Sequence, residues 1–180
     1  NLSKERNLSH YLLFEPKAEK ELLIVVASNR GLCGSYNINV IKAAIKYIKS
    51  KPEKEIDLII IGKKAEAIAK GGRGKVIASF INFPDDLHAD DIISLSKMVL
   101  DEFAKQNYKK VSIAYTDFVS SLRYEAKISS LLPITRENLS EILGVEKQEL
   151  KKPEAVVMFE PGEEAVLGLV LPRLTEVRIY

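Results

Sequence analysis

The sequence predicts an α/β protein built as a Rossmann-like, doubly wound, mostly parallel sheet with an antiparallel edge hairpin. Three observations predict it. Leu22-Leu23-Ile24-Val25-Val26-Ala27 is an apolar run too short for a helix, the pattern of a strand buried on both faces. Ile41, Ala44, Ile45 and Ile48 then recur at three- and four-residue spacing, one stripe of an amphipathic helix. Strand and helix patterns alternate from there to Tyr115 with no internal repeat, the order expected of parallel strands joined by right-handed crossovers.

Asn1 to Lys20 is polar apart from Tyr11-Leu12-Leu13-Phe14, and reads as the tail of a helix and an arm leading into the first strand. The loop Asn29 to Asn37 joins strand to helix, and its Gly31 and Gly34 fall where a tight turn needs positive φ or close backbone approach. Asn37 is expected to cap the helix, which Pro52 ends. Ile56 to Ile61 is a second strand closed by Gly62, and Lys63 to Lys70 a short helix stopped by Gly71-Gly72. Val76 to Phe80 is a third strand. Asp85 to about Gln106 is a long helix with Ile92, Leu95, Val99 and Phe103 on one face, and Val111 to Tyr115 a fourth strand. Phe118-Val119 and Ile128 to Leu132 are too close for a crossover helix, so a hairpin is expected there. Arg136 to Lys152 reads as a surface excursion, and Val156 to Phe159 as a last strand. Pro161 sits where a helix-opening proline belongs, with helix continuing to Tyr180. The division that follows is a lead-in over 1–20, one α/β domain over 21–160 and the start of a C-terminal helix over 161–180.

Composition narrows the function. Apolar residues are 46% and charged residues 29% of the 180, ordinary for a globular domain, and a net charge of +2 suggests neither nucleic acid nor an anionic membrane surface. One cysteine excludes an internal disulfide and any Cys-rich metal site. No run of about 18 apolar residues is long enough for a transmembrane helix, and no signal-peptide pattern opens the chain. The missing initial methionine and the unfinished helical pattern at Ile179-Tyr180 read as a fragment.

The inventory of chemistry is nearly empty. A dinucleotide site needs three glycines before the helix and an acid after the second strand; here Leu32-Cys33 separates two glycines, and Gly62-Lys63-Lys64 follows the strand. Lys70 to Lys75 imitates a P-loop, but Ala69 and Val76 stand where glycine and a magnesium-binding hydroxyl belong, and the loop precedes a strand. Asp85, Asp86, His88, Asp90 and Asp91 suit the positive start of a helix better than a metal. Cys33 lies where a thiol pKa could fall, yet neither His10 nor His88 is placed as its base. No catalytic, cofactor-binding or metal-binding residue is assigned. A domain of this class without a site acts more readily through surfaces, and a nucleotide-binding enzyme using the 29–37 loop is the alternative.

The loop Ser28-Asn29-Arg30-Gly31-Leu32-Cys33-Gly34-Ser35-Tyr36-Asn37-Ile38-Asn39 closely resembles the corresponding loop of the γ subunit of F-type ATP synthase. Further marks follow in the family's order: His10 to Leu13, Ile61-Gly62-Lys63-Lys64, Tyr115 to Phe118, Leu131-Leu132-Pro133, Phe159-Glu160-Pro161 and Leu171-Pro172-Arg173. Asn29 replaces the family's usual acid and Ser35 its second glycine. The two long helices of that family's coiled coil are absent, the chain starting where one would end and stopping as the other begins. The resemblance implies a non-catalytic rotor domain of the central stalk, passing torque between a membrane ion-driven ring and the catalytic hexamer. It implies α, β and ε subunits and the c-ring as partners, and a peripheral place on the cytoplasmic face of a bacterial membrane. It turns Arg30, Gly31, Leu32, Cys33 and Gly34 toward the hexamer, and Val157, Phe159, Glu160 and Pro161 toward a foot at ε and the ring.

Overall fold

The computed structural model describes residues 12, 15–31, 35–51, 55–71, 74–81, 89–120 and 123–134. The surface excursion at 136–152, the strand at 156–159 and the helix from Pro161 lie outside these residues. Within them the order is β1 (Glu21–Val26), α1 (Tyr36–Lys49), β2 (Ile56–Ile61), a 3-10 turn (Lys63–Ala65) running into α2 (Glu66–Ala69), β3 (Lys75–Phe80), α3 (Ala89–Ala104), β4 (Lys110–Ser120) and β5 (Arg123–Leu132). The described strands form one sheet in the order β3-β2-β1-β4-β5. Neighbours are parallel throughout except β4 and β5.

Alternation along β1 explains why both faces must be covered. Leu22, Ile24 and Val26 pack with Leu95, Val99, Leu100 and Phe103 of α3, while Leu23 and Val25 pack with Val40, Ala44 and Ile48 of α1 and Ile68 of α2. All six β1 residues are buried, as are all six of β2, which is why each is apolar apart from one acid, Glu21 in β1 and Asp57 in β2. The α1 stripe is centred on Val40, Ala44 and Ile48, with Ile41 and Ile45 only partly buried beside it. From the lead-in arm, Leu12 is buried in the α3 layer, and its carbonyl accepts from Ile134 N–H at 2.6 Å. Leu12 is thus packed against the end of β5.

One local reading changes. Phe118 and Val119 do not start a separate strand; they end β4, and the hairpin is β4–β5 with both strands longer than the apolar pattern suggested. Beyond Ala114, the last β4 residue paired with β1, the two strands continue as a ribbon from Tyr115↔Lys127 to Ser120↔Arg123. A two-stranded ribbon tolerates polar residues such as Asp117 and Lys127, which form an ion pair on it, and so loses the buried-strand signature. Thr116 Oγ1 donates to the Tyr36 carbonyl at 3.4 Å, and Tyr124 meets the Tyr36 ring edge-on at 6.2 Å, fixing the ribbon to the start of α1. The long helix ends in a Schellman closure: Asn107 N–H reaches Glu102 O and Gln106 N–H reaches Phe103 O. Gln106 takes the left-handed conformation there, φ 58°, where glycine is the usual choice.

The residue that most needs to be glycine is Gly62. Its φ is +84°, and a Cβ there would stand 1.8 Å from the Ala27 carbonyl oxygen. Its own N–H donates to Phe80 O at 3.0 Å, so the chain crosses the ends of β1 and β3 in one step.

At the opposite, amino-terminal edge two carboxylates are buried, Glu21 and Asp57. Tyr47 donates to Glu21 at 2.8 Å, and Lys51 pairs with the same oxygen while lying over the Tyr47 ring. Tyr108 donates to Asp57 at 2.8 Å. Burial pulls the Lys51 ammonium down, but the hydrogen bonds to Glu21 and Tyr47 outweigh it and hold its pKa above the usual lysine value. Burial, then the Asp57 hydrogen bond, push the Tyr108 hydroxyl well above the phenol range. Buried polar groups so paired are costly to leave half-matched.

Two outcomes follow. Gly62→Ala is expected to cost on the order of 3 kcal/mol in urea unfolding, because the clash is with backbone; a loss under about 1 kcal/mol would show that the Ala27 carbonyl yields. Both Lys51 and Tyr108 have folded pKa values above their unfolded ones. Their stabilisation is therefore complete below about pH 10 and lost as pH rises through the folded values. Melting temperature should fall from about pH 10 upward, and the fall should be shallower in Lys51→Gln; equal slopes in the two proteins would refute the assignment.

Candidate functional site

The carboxyl-terminal edge of the sheet carries the loop singled out in the sequence, of which Ser28 to Gly31 and Ser35 to Asn37 are described. Leu32, Cys33 and Gly34 lie outside the described residues, as do Val157, Phe159, Glu160 and Pro161. The same holds for His10, Asp85, Asp86 and His88; Asp90 and Asp91 fall in the first turn of α3. Among the described residues no group of three or more His, Cys, Asp and Glu is placed to hold a metal.

Asn37 does not cap α1. The helix begins at Tyr36, Ser35 is its cap residue without a side-chain hydrogen bond, and Asn37 sits inside the first turn, buried. Its amide turns back to the end of β1 instead. Ser28 N–H donates to Asn37 Oδ1 at 2.9 Å, and Asn37 Nδ2 donates to Ser28 Oγ at 2.9 Å. Ser28 Oγ donates in turn to the Arg30 carbonyl at 2.7 Å, closing the turn on itself. A buried strand end has no water for its N–H, and an asparagine one turn away supplies the acceptor.

The capping asparagine is Asn29, and the helix it caps is the next one. Lys63 and Lys64 open the 3-10 segment, so their N–H groups have no partner within it. Lys63 N–H donates to Asn29 Oδ1 at 3.1 Å and Lys64 N–H to the Ser28 carbonyl at 3.0 Å. The first βα turn therefore caps the second. Gly31 departs from its reading too. It is outside the positive-φ region, and a Cβ on it would meet only the far end of Lys64, at 3.4 Å. The backbone approach expected of it belongs to Gly62, one strand–helix crossing later in sequence but adjacent in space.

The arrangement bears on what this edge does. A phosphate cradle needs backbone N–H groups aimed outward. Here Ser28 N–H is engaged by Asn37, Lys63 N–H by Asn29, Lys64 N–H by Ser28, and Asn39 N–H by the Ser35 carbonyl. What faces outward is side chain: Arg30, Lys63 and Lys64 are exposed.

Residues 1–180 match the protein-family model described as ATP synthase. The chain belongs to that family. Among its relatives are the ATP synthase gamma chains of Lachnoclostridium phytofermentans, 31% identical, and Alkaliphilus metalliredigens, 27% identical, each aligned over 99% of this chain. The chain spans about 60% of the length of these relatives. Solved structures with the same fold include the central stalk and c-ring of the Tetrahymena thermophila mitochondrial ATP synthase, with a TM-score of 0.60 at 17% identity over 99% of this chain and 81% of that one. The rotor of the Euglena gracilis mitochondrial enzyme gives 0.58 at 18% identity, covering 98% and 76%. With the family shown, the nucleotide-binding alternative loses its support.

Sequence reasoning found the loop and missed its mechanics. Ser28 and Asn37 stand nine residues apart, too far for any capping rule, and Asn29 to Lys63 spans 34. Only Gly62, a glycine closing a buried strand, was a signal in the right place. Asn37→Leu, which leaves Ser28 N–H buried without an acceptor, is expected to cost about 2 kcal/mol. Asn37→Asp keeps the acceptor and should cost less; equal losses measured by chemical denaturation would make the site a matter of packing alone.

Proposed function

We propose that this chain is the α/β domain of the gamma subunit of an F-type ATP synthase, a non-catalytic rotor part of the central stalk. In this reading it passes torque between the ion-driven c-ring and the catalytic hexamer, with α, β and ε subunits as its other partners. Its place is peripheral, at the cytoplasmic face of a bacterial membrane; among the described residues no helix is long and apolar enough to cross one. Residues 1–20 lead in from one long helix, 21–160 form the domain and 161–180 open the other helix. Arg30, Gly31, Leu32, Cys33 and Gly34 face the hexamer, and Val157, Phe159, Glu160 and Pro161 form the foot toward ε and the ring.

The observation that carries this reading is the capping of the second βα turn by the first, which mounts Arg30 on hydrogen-bonded backbone and engages the amides of Ser28, Lys63 and Lys64. A part that transmits force through contacts needs such a mount; a part that binds phosphate needs those amides free. The gamma-chain relatives and the stalk structures support the same assignment.

Arg30→Glu tests it. In the complete subunit carrying this chain, the substitution should impair assembly with α and β subunits or uncouple hydrolysis from ion movement. The unfolding free energy of the chain should stay within about 0.5 kcal/mol of the original, since Arg30 is exposed. An unfolded variant would make Arg30 structural, and micromolar binding of ATP, NAD or NADP by calorimetry would count against a rotor part.

A further inference from the structure

The β4–β5 hairpin is held from outside at both of its ends. At its open end, where Val111 pairs with Leu132, the lead-in arm bonds to the chain on either side. Lys109 N–H, just before β4, donates to the Lys20 carbonyl at 2.9 Å, and Ile134 N–H, just after β5, to the Leu12 carbonyl. At its far end the hairpin leaves β1 after Ala114, and a two-stranded ribbon is marginal by itself. It is seated on the start of α1, through Thr116 Oγ1 on the Tyr36 carbonyl and the Tyr124 ring edge-on to Tyr36. Asn37, the next residue, accepts from Ser28 N–H, and Ser28 Oγ closes on the Arg30 carbonyl. The hairpin therefore meets the arm at one edge of the sheet and the mount of Arg30 at the other.

That arrangement has a mechanical meaning. β1 joins the arm to the loop directly, but a single strand is one line, and a line resists pulling better than turning about itself. The hairpin is a second line beside it, at the strand spacing of about 4.8 Å, tied to the first at both edges. We propose that the β4–β5 ribbon is a brace against twist, tying the start of α1, and with it the Arg30 loop, to the hairpin whose open end holds the lead-in arm. Thr116 and Tyr124 are the positioning residues of that tie, acting on Arg30 through Tyr36, Asn37 and Ser28. A buried hydroxyl and a packed ring pass displacement on, because close-packed interiors deform little. The inference rests on the proposed reading of the chain as a rotor part, in which residues 1–20 lead in from a long helix.

The test uses the assembled enzyme with the complete subunit carrying this chain. Thr116→Val with Tyr124→Leu should lower the number of ions moved per ATP hydrolysed while hydrolysis itself continues. Thr116→Ser with Tyr124→Phe keeps hydroxyl and ring and should retain the original ratio. Ser28 N–H should exchange with solvent about 5-fold faster in the first variant, with Lys109 and Ile134 N–H at their original rates. Thr116→Val alone, close to isosteric, should give a smaller shift of the same kind if the pair fails to assemble. Val40→Ala weakens the core under α1 without touching the tie, and should leave the ratio unchanged. An equal loss there would make the effect one of stability and overturn the proposal. If Arg30→Glu lowers the ratio and the first variant does not, the brace is refuted. If neither changes it, the rotor reading itself fails. Unchanged Ser28 exchange removes the link from ribbon to loop.

Discussion

Ser28 is the residue on which the carboxyl edge depends, because one peptide serves two elements. Its N–H is accepted by Asn37 of the helix that follows β1, and its carbonyl accepts from Lys64 of the segment that follows β2. The hydroxyl then closes on the Arg30 carbonyl. Each of these groups lies at the end of a buried strand, where an unmatched donor or acceptor would be expensive. Solving that local problem ties two turns together, and the stiffness of the Arg30 loop is the by-product. Gly62 makes the solution possible, since any side chain there would strike Ala27 and hold the turns apart.

The two edges of the sheet solve different problems. At the amino-terminal edge the buried carboxylates of Glu21 and Asp57 are matched by hydroxyl and ammonium groups brought from the end of α1 and from the approach to β4. Those contacts hold the scaffold and point inward. At the carboxyl edge the pairing described uses backbone groups, two asparagine amides and the Ser28 hydroxyl, and Arg30, Lys63 and Lys64 are exposed. The division matches stability at one end and contact at the other.

The fold was legible in the sequence wherever apolar periodicity is strong. Six buried residues in each of β1 and β2, and the Leu95-Val99-Phe103 stripe of α3, mark themselves without help from tertiary structure. The long ribbon of β4 and β5 did not, because the charged residues Asp117, Glu125 and Lys127 break the apolar run. At the candidate site the loop stood out through its residues, yet the roles within it were misassigned. Capping rules are local, so they gave Asn37 the helix beside it; the hydrogen bonds actually formed join residues that become neighbours only after β1 and β2 pair. Gly31 was likewise credited with a constraint that Gly62 bears.

The sheet order also dictates when this domain is able to close. β1 lies in the middle, between β2 and β4, and its pairing of Glu21 with Lys110 through Val25 with Ala114 joins segments separated by three strand–helix crossings. During synthesis β1 therefore spends the interval between β2 and β4 as an open edge, apolar from Leu22 to Val26, the kind of strand most prone to pair with another chain. Non-local parallel pairing of this sort is slow, because the loop entropy is lost before the contacts form. The centrality that gives the rotor reading its rigid core makes the nascent chain dependent on the arrival of β4.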